Sequence, residues 1–252
     1  MNLYTSAFAK TFTPLLNTPD FSLIFGGDTI PLDGQGLLRA VEAIAFPQTP
    51  FQILFQTGRI VQVKTQAYPY EGDLFVDERF LFLSQENIVK KHIDSGLPSS
   101  KEILNTLISL VGTRYCWGGN CLGVPEMLSF YPPRSSKIQQ DDLILKGFDC
   151  SGLIYYATHG ITPRNTSSWF SFGQEIPIAG KSHSELFPLL KPLDAILWKG
   201  HIIFVQDPFH VIESRVGKGV VVTPLQQRFL EIKQEERSFV IRRWHPDFLS
   251  HT

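Results

Sequence analysis

The chain has 252 residues, and its 23 Lys and Arg against 24 Asp and Glu leave a formal net charge of −1. That balance excludes a nucleic-acid binder held by phosphate neutralisation, which needs a basic excess to displace counterions. Hydrophobic residues at 43% and charged residues at 19% exclude an intrinsically disordered chain and supply core for one large domain or two small ones.

The N-terminal stretch has Lys10 as its early basic residue, and Pro14 and Pro19 interrupt its apolar residues, which is not the layout of a secretory signal. No stretch reaches the roughly 20 apolar residues of a membrane span. The expectation is a cytoplasmic protein with no integral membrane segment; the periplasm or cell envelope is the alternative. The 3 cysteines fit a reducing compartment that does not use them as a disulfide framework.

From about Arg39 to Leu83 the pattern predicts strands. Phe51–Phe55 and Arg59–Gln66 cluster or alternate apolar residues around a hairpin-like break at Thr57-Gly58, and the aromatic stretch from Tyr68 ends in a short apolar run. Short strands with such turns suggest a small β-barrel. The polar stretch from His92 to Ser100 is the candidate boundary between domains at 1–95 and 96–252. Ser99 and Glu102 read as a capping box, followed by Ile103, Leu104, Leu107, Ile108 and Val111 at helical spacing. The stretch 121–146 reads as an inserted loop with one short helix. A second helix is expected from Cys150 to His159, then strands at Asp194–Trp198, His201–Val205, His210–Ser214, Gly219–Thr223 and Ser238–Trp244. Helices first and antiparallel strands later is an α+β order.

The strongest chemical signal is Gly147-Phe148-Asp149-Cys150-Ser151-Gly152. Asp149 can cap a helix that begins at Cys150, and the free N–H groups and positive dipole end there favour a thiolate. The same residues also suit a small buried cysteine that only packs. His201 is the best-placed base, because it opens a strand on the face of Ile203 and Val205. A hairpin centred on Asp207 would pair Val205 with Phe209, Ile203 with Val211 and His201 with Glu213, so a carboxylate could orient the imidazole. A surface hairpin carrying a weak ion pair is the other reading of those two residues. Cys116 and Cys121 have no second Cys or His pair at zinc spacing, and no phosphate-binding loop is present, so neither a metal nor another cofactor is expected.

The order of Tyr115-x-Trp117-Gly118-Gly119, then Asp149-Cys150-Ser151-Gly152, then Leu190-Lys191-Pro192-Leu193-Asp194 and Gly200-His201 resembles the NlpC family of bacterial cell-wall cysteine peptidases over roughly 100–223. The resemblance implies a papain-like α+β catalytic domain, preceded in several members by a bacterial SH3-like β-barrel. It also implies cleavage of peptidoglycan stem peptides or muropeptides, commonly between γ-D-glutamate and a diamino acid. It makes Cys150 the nucleophile, His201 the base and Glu213 the third member, where the family usually has His. A related papain-like amidase or acyltransferase, or a wall-peptide binding protein without turnover, are the alternatives, and a monomer is expected. In the subgroup with a gating SH3-like domain, Asp149, Ser151 and an Arg-Asp pair bind the substrate's amino end. Here that pair reads Arg164-Asn165, so a dipole replaces the charge. Tyr70 resembles a substrate-end contact of that subgroup, or is an ordinary barrel aromatic. Tyr115 and Trp117 are further substrate-side candidates, with the Tyr115 hydroxyl a candidate oxyanion donor. Leu193 stands where the family has Gly, which suggests a different turn.

Overall fold

Short apolar runs broken by turn residues make strands of the first part of the chain. They are β1 (Ser6–Ala9), β2 (Thr13–Leu16), β3 (Val41–Ala45), β4 (Pro50–Thr57), β5 (Ile60–Lys64), β6 (Leu74–Asp77) and β7 (Leu81–Ser84), with a short helix α1 (Phe21–Phe25) after β2. The structure, a computed structural model, describes residues 4–85 and 96–249. The predicted hairpin is β4–β5, closed by Thr57 opposite Ile60, with Gly58 at φ +57° where a side chain would be strained. The seven strands form an antiparallel sheet in the order β3-β2-β6-β5-β4-β1-β7. Its edges β3 and β7 do not pair, so among the described residues no sheet closes, and the expected SH3-like barrel is corrected to an open sheet.

The chain divides into two compact units, Met1–Ser95 with Cys116–Gly147, and Gly96–Tyr115 with Phe148–Thr252. Residues 92–95 of the expected boundary lie outside the described residues. The second unit opens with α2 (Ser100–Ser109), whose capping box forms as read: Ser99 Oγ accepts from Glu102 N–H at 3.3 Å and Glu102 Oε2 from Ser99 N–H at 2.9 Å. Ile103 and Leu107 are buried, while Ile108 and Val111, expected on the same apolar face, are exposed.

The segment Cys116–Gly147 differs from the expected partition, since it joins the first unit rather than the second. It holds β8 (Asn120–Cys121), α3 (Glu126–Phe130) and α4 (Gln140–Leu143), two helices where one was expected, and runs into β9 (Gly147–Phe148), which pairs with β8. Cys121, Val124, Met127, Tyr131, Leu143 and Leu145 are buried in the core of the first unit's sheet. Polar clamps fix them there. The buried Asn120 amide accepts from Ile44 N–H at 3.0 Å and donates to Ile44 O at 2.8 Å. Tyr131 Oη donates to Asp77 at 2.5 Å, and Arg79 donates to Phe130 O at 3.1 Å. Burial and the Asp77 carboxylate push the Tyr131 hydroxyl's pKa well above its ordinary value.

The rest of the second unit is α5 (Cys150–Ala157), α6 (Thr166–Trp169), β10 (Gln174–Glu175), α7 (His183–Leu186), β11 (Ala195–Trp198), β12 (His201–Asp207), β13 (His210–Arg215), β14 (Gly219–Pro224), α8 (Leu225–Gln234) and β15 (Val240–Arg243). Its sheet runs β10-β15-β11-β12-β13-β14, antiparallel in every pairing. Strand alternation sends Ile202 and Phe204 into one core with Ile103, Leu107, Leu153 and Ile154 of α2 and α5. It sends Ile203 and Val205 into another with Leu225, Phe229 and Ile232 of α8. A sheet covered by helices on both faces reads as nearly continuous apolar strands. Leu193 has φ +67° and donates its N–H to Val205 O at 2.8 Å. That is the backbone region a glycine favours, so Leu193 makes a glycine-type turn rather than a different one.

Candidate active site

The site grows from the start of α5. Asp149 is its N-cap, with Oδ1 accepting from Gly152 N–H at 2.6 Å, so Cys150 occupies the first helical position. Free backbone N–H groups and the helix dipole there favour negative charge on the sulfur. Cys150 is buried at 7% exposure, and its Sγ lies 3.5 Å from the Thr166 hydroxyl at the start of α6.

Asp149 also takes both ends of the Arg164 guanidinium, Nη1 on Oδ1 at 3.0 Å and Nη2 on Oδ2 at 2.7 Å. Ser151 Oγ donates to Asp149 Oδ1 at 3.3 Å and accepts from Arg164 Nη1 at the same distance. All three residues are buried. The structure thus brings together Asp149, Ser151 and Arg164 as an ion-paired brace under the helix start. Asn165 stands at the N-cap of α6 without a side-chain cap bond. Tyr115 is bridged in parallel to Phe148, which places its backbone beside the strand leading into Asp149.

On the sheet, His201 Nε2 and Glu213 Oε2 are 2.6 Å apart. The expected register is not the one observed. β12 and β13 pair Val205 with Val211 and Phe204 with Ile212, with an irregularity between Val205 and Asp207. Val211 therefore faces Val205, not Ile203. The shift is by two residues, and a period-2 strand returns the same side chains to the same face, so His201 and Glu213 meet diagonally instead of directly. Burial lowers the His201 pKa, but hydrogen bonds with Cys150 and with Glu213 outweigh it and push the imidazole up to about 9. With Nε2 engaged by Glu213, Nδ1 is the nitrogen left for the sulfur. Burial raises the Glu213 pKa, and hydrogen bonds from His201 and Arg228 more than reverse this, so it lies below its ordinary value.

Tyr70 and Trp117 belong to the first unit. The Tyr70 hydroxyl donates to Glu42 Oε1 at 3.2 Å, and its ring stacks on Tyr68 at 5.7 Å between centroids. Burial and the Glu42 carboxylate raise the Tyr70 pKa. Glu42 also accepts from Asn17 at 2.7 Å and from Tyr68 at 3.1 Å. The Trp117 ring carries the Arg39 guanidinium 4.0 Å from its centroid, a cation–π contact.

Thr166, Glu42 and Arg228 were not singled out by the sequence. Arg228 shares the buried stripe of Leu225, Phe229 and Ile232 on α8, a spacing that the polar residues of that helix obscure in the sequence. A cation at apolar helical spacing demands a buried anion. All three cysteines are free thiols. Cys116 packs partly buried against the first unit's core, and Cys121, for which no role was expected, is part of that core.

No protein-family model matches the chain, and no curated protein matches it in sequence. Solved structures do match in fold. The crystal structure of an NlpC/P60 family protein from Bacillus cereus aligns over 96% of this chain and 100% of its own, at 16% identity and TM-score 0.63. The peptidoglycan hydrolase RipB of Mycobacterium tuberculosis is 22% identical over 63% of this chain and 73% of its own, at TM-score 0.38. RipD of the same organism, described as a non-catalytic NlpC/p60 domain protein adapted to peptidoglycan binding, is 19% identical over 57% and 95%, at TM-score 0.38. Among the described residues no helix is long and apolar enough to cross a membrane. The chain has the fold of an NlpC/P60 protein along almost its whole length.

Proposed function

We propose that this protein is a cysteine endopeptidase of peptidoglycan stem peptides, acting on released muropeptides in the cytoplasm. The favoured bond joins γ-D-glutamate to a diamino acid such as meso-diaminopimelate. One observation carries the reading: Glu213 lies 2.6 Å from Nε2 of His201, the imidazole whose pKa is raised by Glu213 and by Cys150, the cysteine at a capped helix start. A carboxylate on Nε2–H fixes the tautomer and leaves Nδ1 to exchange a proton with the sulfur.

The Cys150 sulfur attacks the γ-carbonyl carbon, and the backbone N–H groups at the start of α5 meet the developing oxyanion. His201 gives its proton to the leaving amine as the carbon–nitrogen bond breaks, and a thioester remains. His201 then takes a proton from water, which attacks the thioester and releases the new carboxylate, and the thiol is restored. Glu213 holds the imidazole through both steps. Asn165, near the helix start, offers the substrate a dipole, while the Asp149 charge is already matched by Arg164.

Incubation with purified muropeptides, followed by mass spectrometry, tests the reading. Release of L-Ala-γ-D-Glu by the wild type and not by Cys150→Ala supports it. Intact stem peptide freed from muramic acid would make the protein an amidase instead. Muropeptide binding without any product would make it a wall-peptide binding protein.

A further inference from the structure

Arg228 has no part in the steps above, yet it is 2% exposed. The apolar stripe of α8 drives it inward with Leu225, Phe229 and Ile232. A guanidinium so buried persists only where its donors are met by charge. Nε donates to Glu213 Oε1 at 2.6 Å, and Nη2 donates to Glu213 Oε2 at 3.1 Å. Nη1 donates to Glu231 Oε2 at 3.1 Å, an oxygen that also accepts from Arg215 at 2.8 Å. The Arg228 Cζ lies 5.3 Å from the Trp198 ring centroid, and that ring lies 5.1 Å from the His201 ring.

The charged and titratable groups around the carboxylate are therefore defined. Glu213 faces His201 of β12 and Arg228 of α8. His201 faces Glu213 and Cys150 of α5. Arg228 faces Glu213 and Glu231, the latter shared with Arg215 of β13. Signs alternate along the line His201, Glu213, Arg228, Glu231, Arg215.

We propose that Arg228 is a positioning residue for the Cys150–His201 pair: by holding Glu213 at both oxygens it keeps the carboxylate ionised and aimed at Nε2. The proposal rests on the cysteine–histidine reading of the site. A lone carboxylate at 0% exposure drifts toward its neutral form, because burial penalises charge. Once protonated, Glu213 no longer favours the imidazolium, and the thiolate loses the cation beside it. Arg228 supplies the missing counter-charge. Its Nε also occupies Oε1, so the carboxylate cannot turn, and Oε2 alone is presented to the histidine. The fork of a guanidinium can do this where the single point of a lysine cannot.

The test is the pH profile of Cys150 alkylation by iodoacetamide, read by mass spectrometry on the peptide that carries Cys150. This readout needs no peptide substrate. In Arg228→Met the acid limb is expected to move up by about one pH unit or more, as the carboxylate loses its paired cation. Arg228→Lys, which keeps the charge and guards against a folding defect, is expected to move it in the same direction by less. In a Glu213→Gln background, Arg228→Met is expected to change the rate by less than about twofold, because the residue acts through the carboxylate. Superimposed profiles for the wild type and Arg228→Met overturn the proposal, as does an equal effect of Arg228→Met with and without Glu213. A wild-type Cys150 that alkylates no faster than a free thiol at every pH overturns the cysteine–histidine reading itself, and this proposal with it.

Discussion

Asp149→Asn separates a brace from a binding site under Cys150. The substitution keeps a helix cap, since Asn accepts from the Gly152 N–H as well as Asp does. It removes the charge that Arg164 needs. The Arg164 side chain is 3% exposed and Asp149 12%, so solvent screens the pair little. Stranding one member of such a pair costs about 3–5 kcal/mol. At roughly 4 °C per kcal/mol for a unit of this size, the transition of the second unit falls by about 12–20 °C. Asp149→Ala loses the cap as well, for about 1 kcal/mol more. Arg164→Met alone is expected to cost a similar amount, and Asp149→Asn with Arg164→Met to recover most of the loss, because no unpaired charge remains. Urea unfolding followed by near-UV circular dichroism reads all four. If Asp149→Asn stays within about 1 kcal/mol of the wild type, or the double variant is no better than its parents, the brace argument is refuted.

Three further outcomes follow from the same geometry. His201 has a folded pKa of about 9 against an ordinary 6.5, so the stability it contributes is complete below pH 6.5 and is lost as pH rises through 9. The stability gap between the wild type and His201→Gln should close across that window, and a gap that widens there contradicts the assignment. Thr166→Val removes the hydroxyl 3.5 Å from the sulfur and is expected to slow Cys150 alkylation several-fold, roughly the effect of one weak hydrogen bond, while Thr166→Ser restores it. Asn120→Ala leaves both polar groups of the Ile44 backbone buried and unmet, at about 1–3 kcal/mol each. Hydrogen exchange at the Ile44 amide should accelerate accordingly, and an unchanged rate would mean the clamp does not hold the Cys116–Gly147 segment.

What was legible in the sequence was local. Ser99 and Glu102 are three residues apart, and their reciprocal bonds depend on nothing beyond one helical turn. Asp149 before Cys150 is the same kind of signal. The meeting of His201 and Glu213 was legible for a weaker reason. The irregularity between Val205 and Asp207 cannot be seen in Gln206-Asp207-Pro208, and it moved the register, but by an even step that preserved the face. A one-residue slip would have put Glu213 among the apolar side chains of the other face. Three features were not legible. The Cys116–Gly147 segment joins the first unit through Asn120, Tyr131 and the buried Cys121, contacts that span long stretches of chain and leave no periodicity. The closure of a sheet depends on whether its edge strands reach each other, which short alternating runs do not encode. Helix α8 reads as Leu-Gln-Gln-Arg-Phe-Leu-Glu-Ile-Lys-Gln, and its polar residues masked the apolar stripe that buries Arg228.

The two buried arginines have a common consequence for the site. Asp149 is matched by Arg164 and Glu213 by Arg228, each through two hydrogen bonds. Both carboxylates are therefore neutralised locally. Neither has charge to spare for a distant ammonium. On the proposed reading, the proton moves within the Cys150–His201 pair. Thiol with imidazole and thiolate with imidazolium have the same total charge, so the surrounding ion pairs do not favour one over the other by net charge. The choice falls to oriented groups: the start of α5 and the Thr166 hydroxyl on the sulfur, and Glu213 Oε2 on the imidazole. Fixed dipoles that favour a charge-separated pair inside a neutral shell need little rearrangement when charge moves, which is the condition under which a buried thiolate can act as a nucleophile.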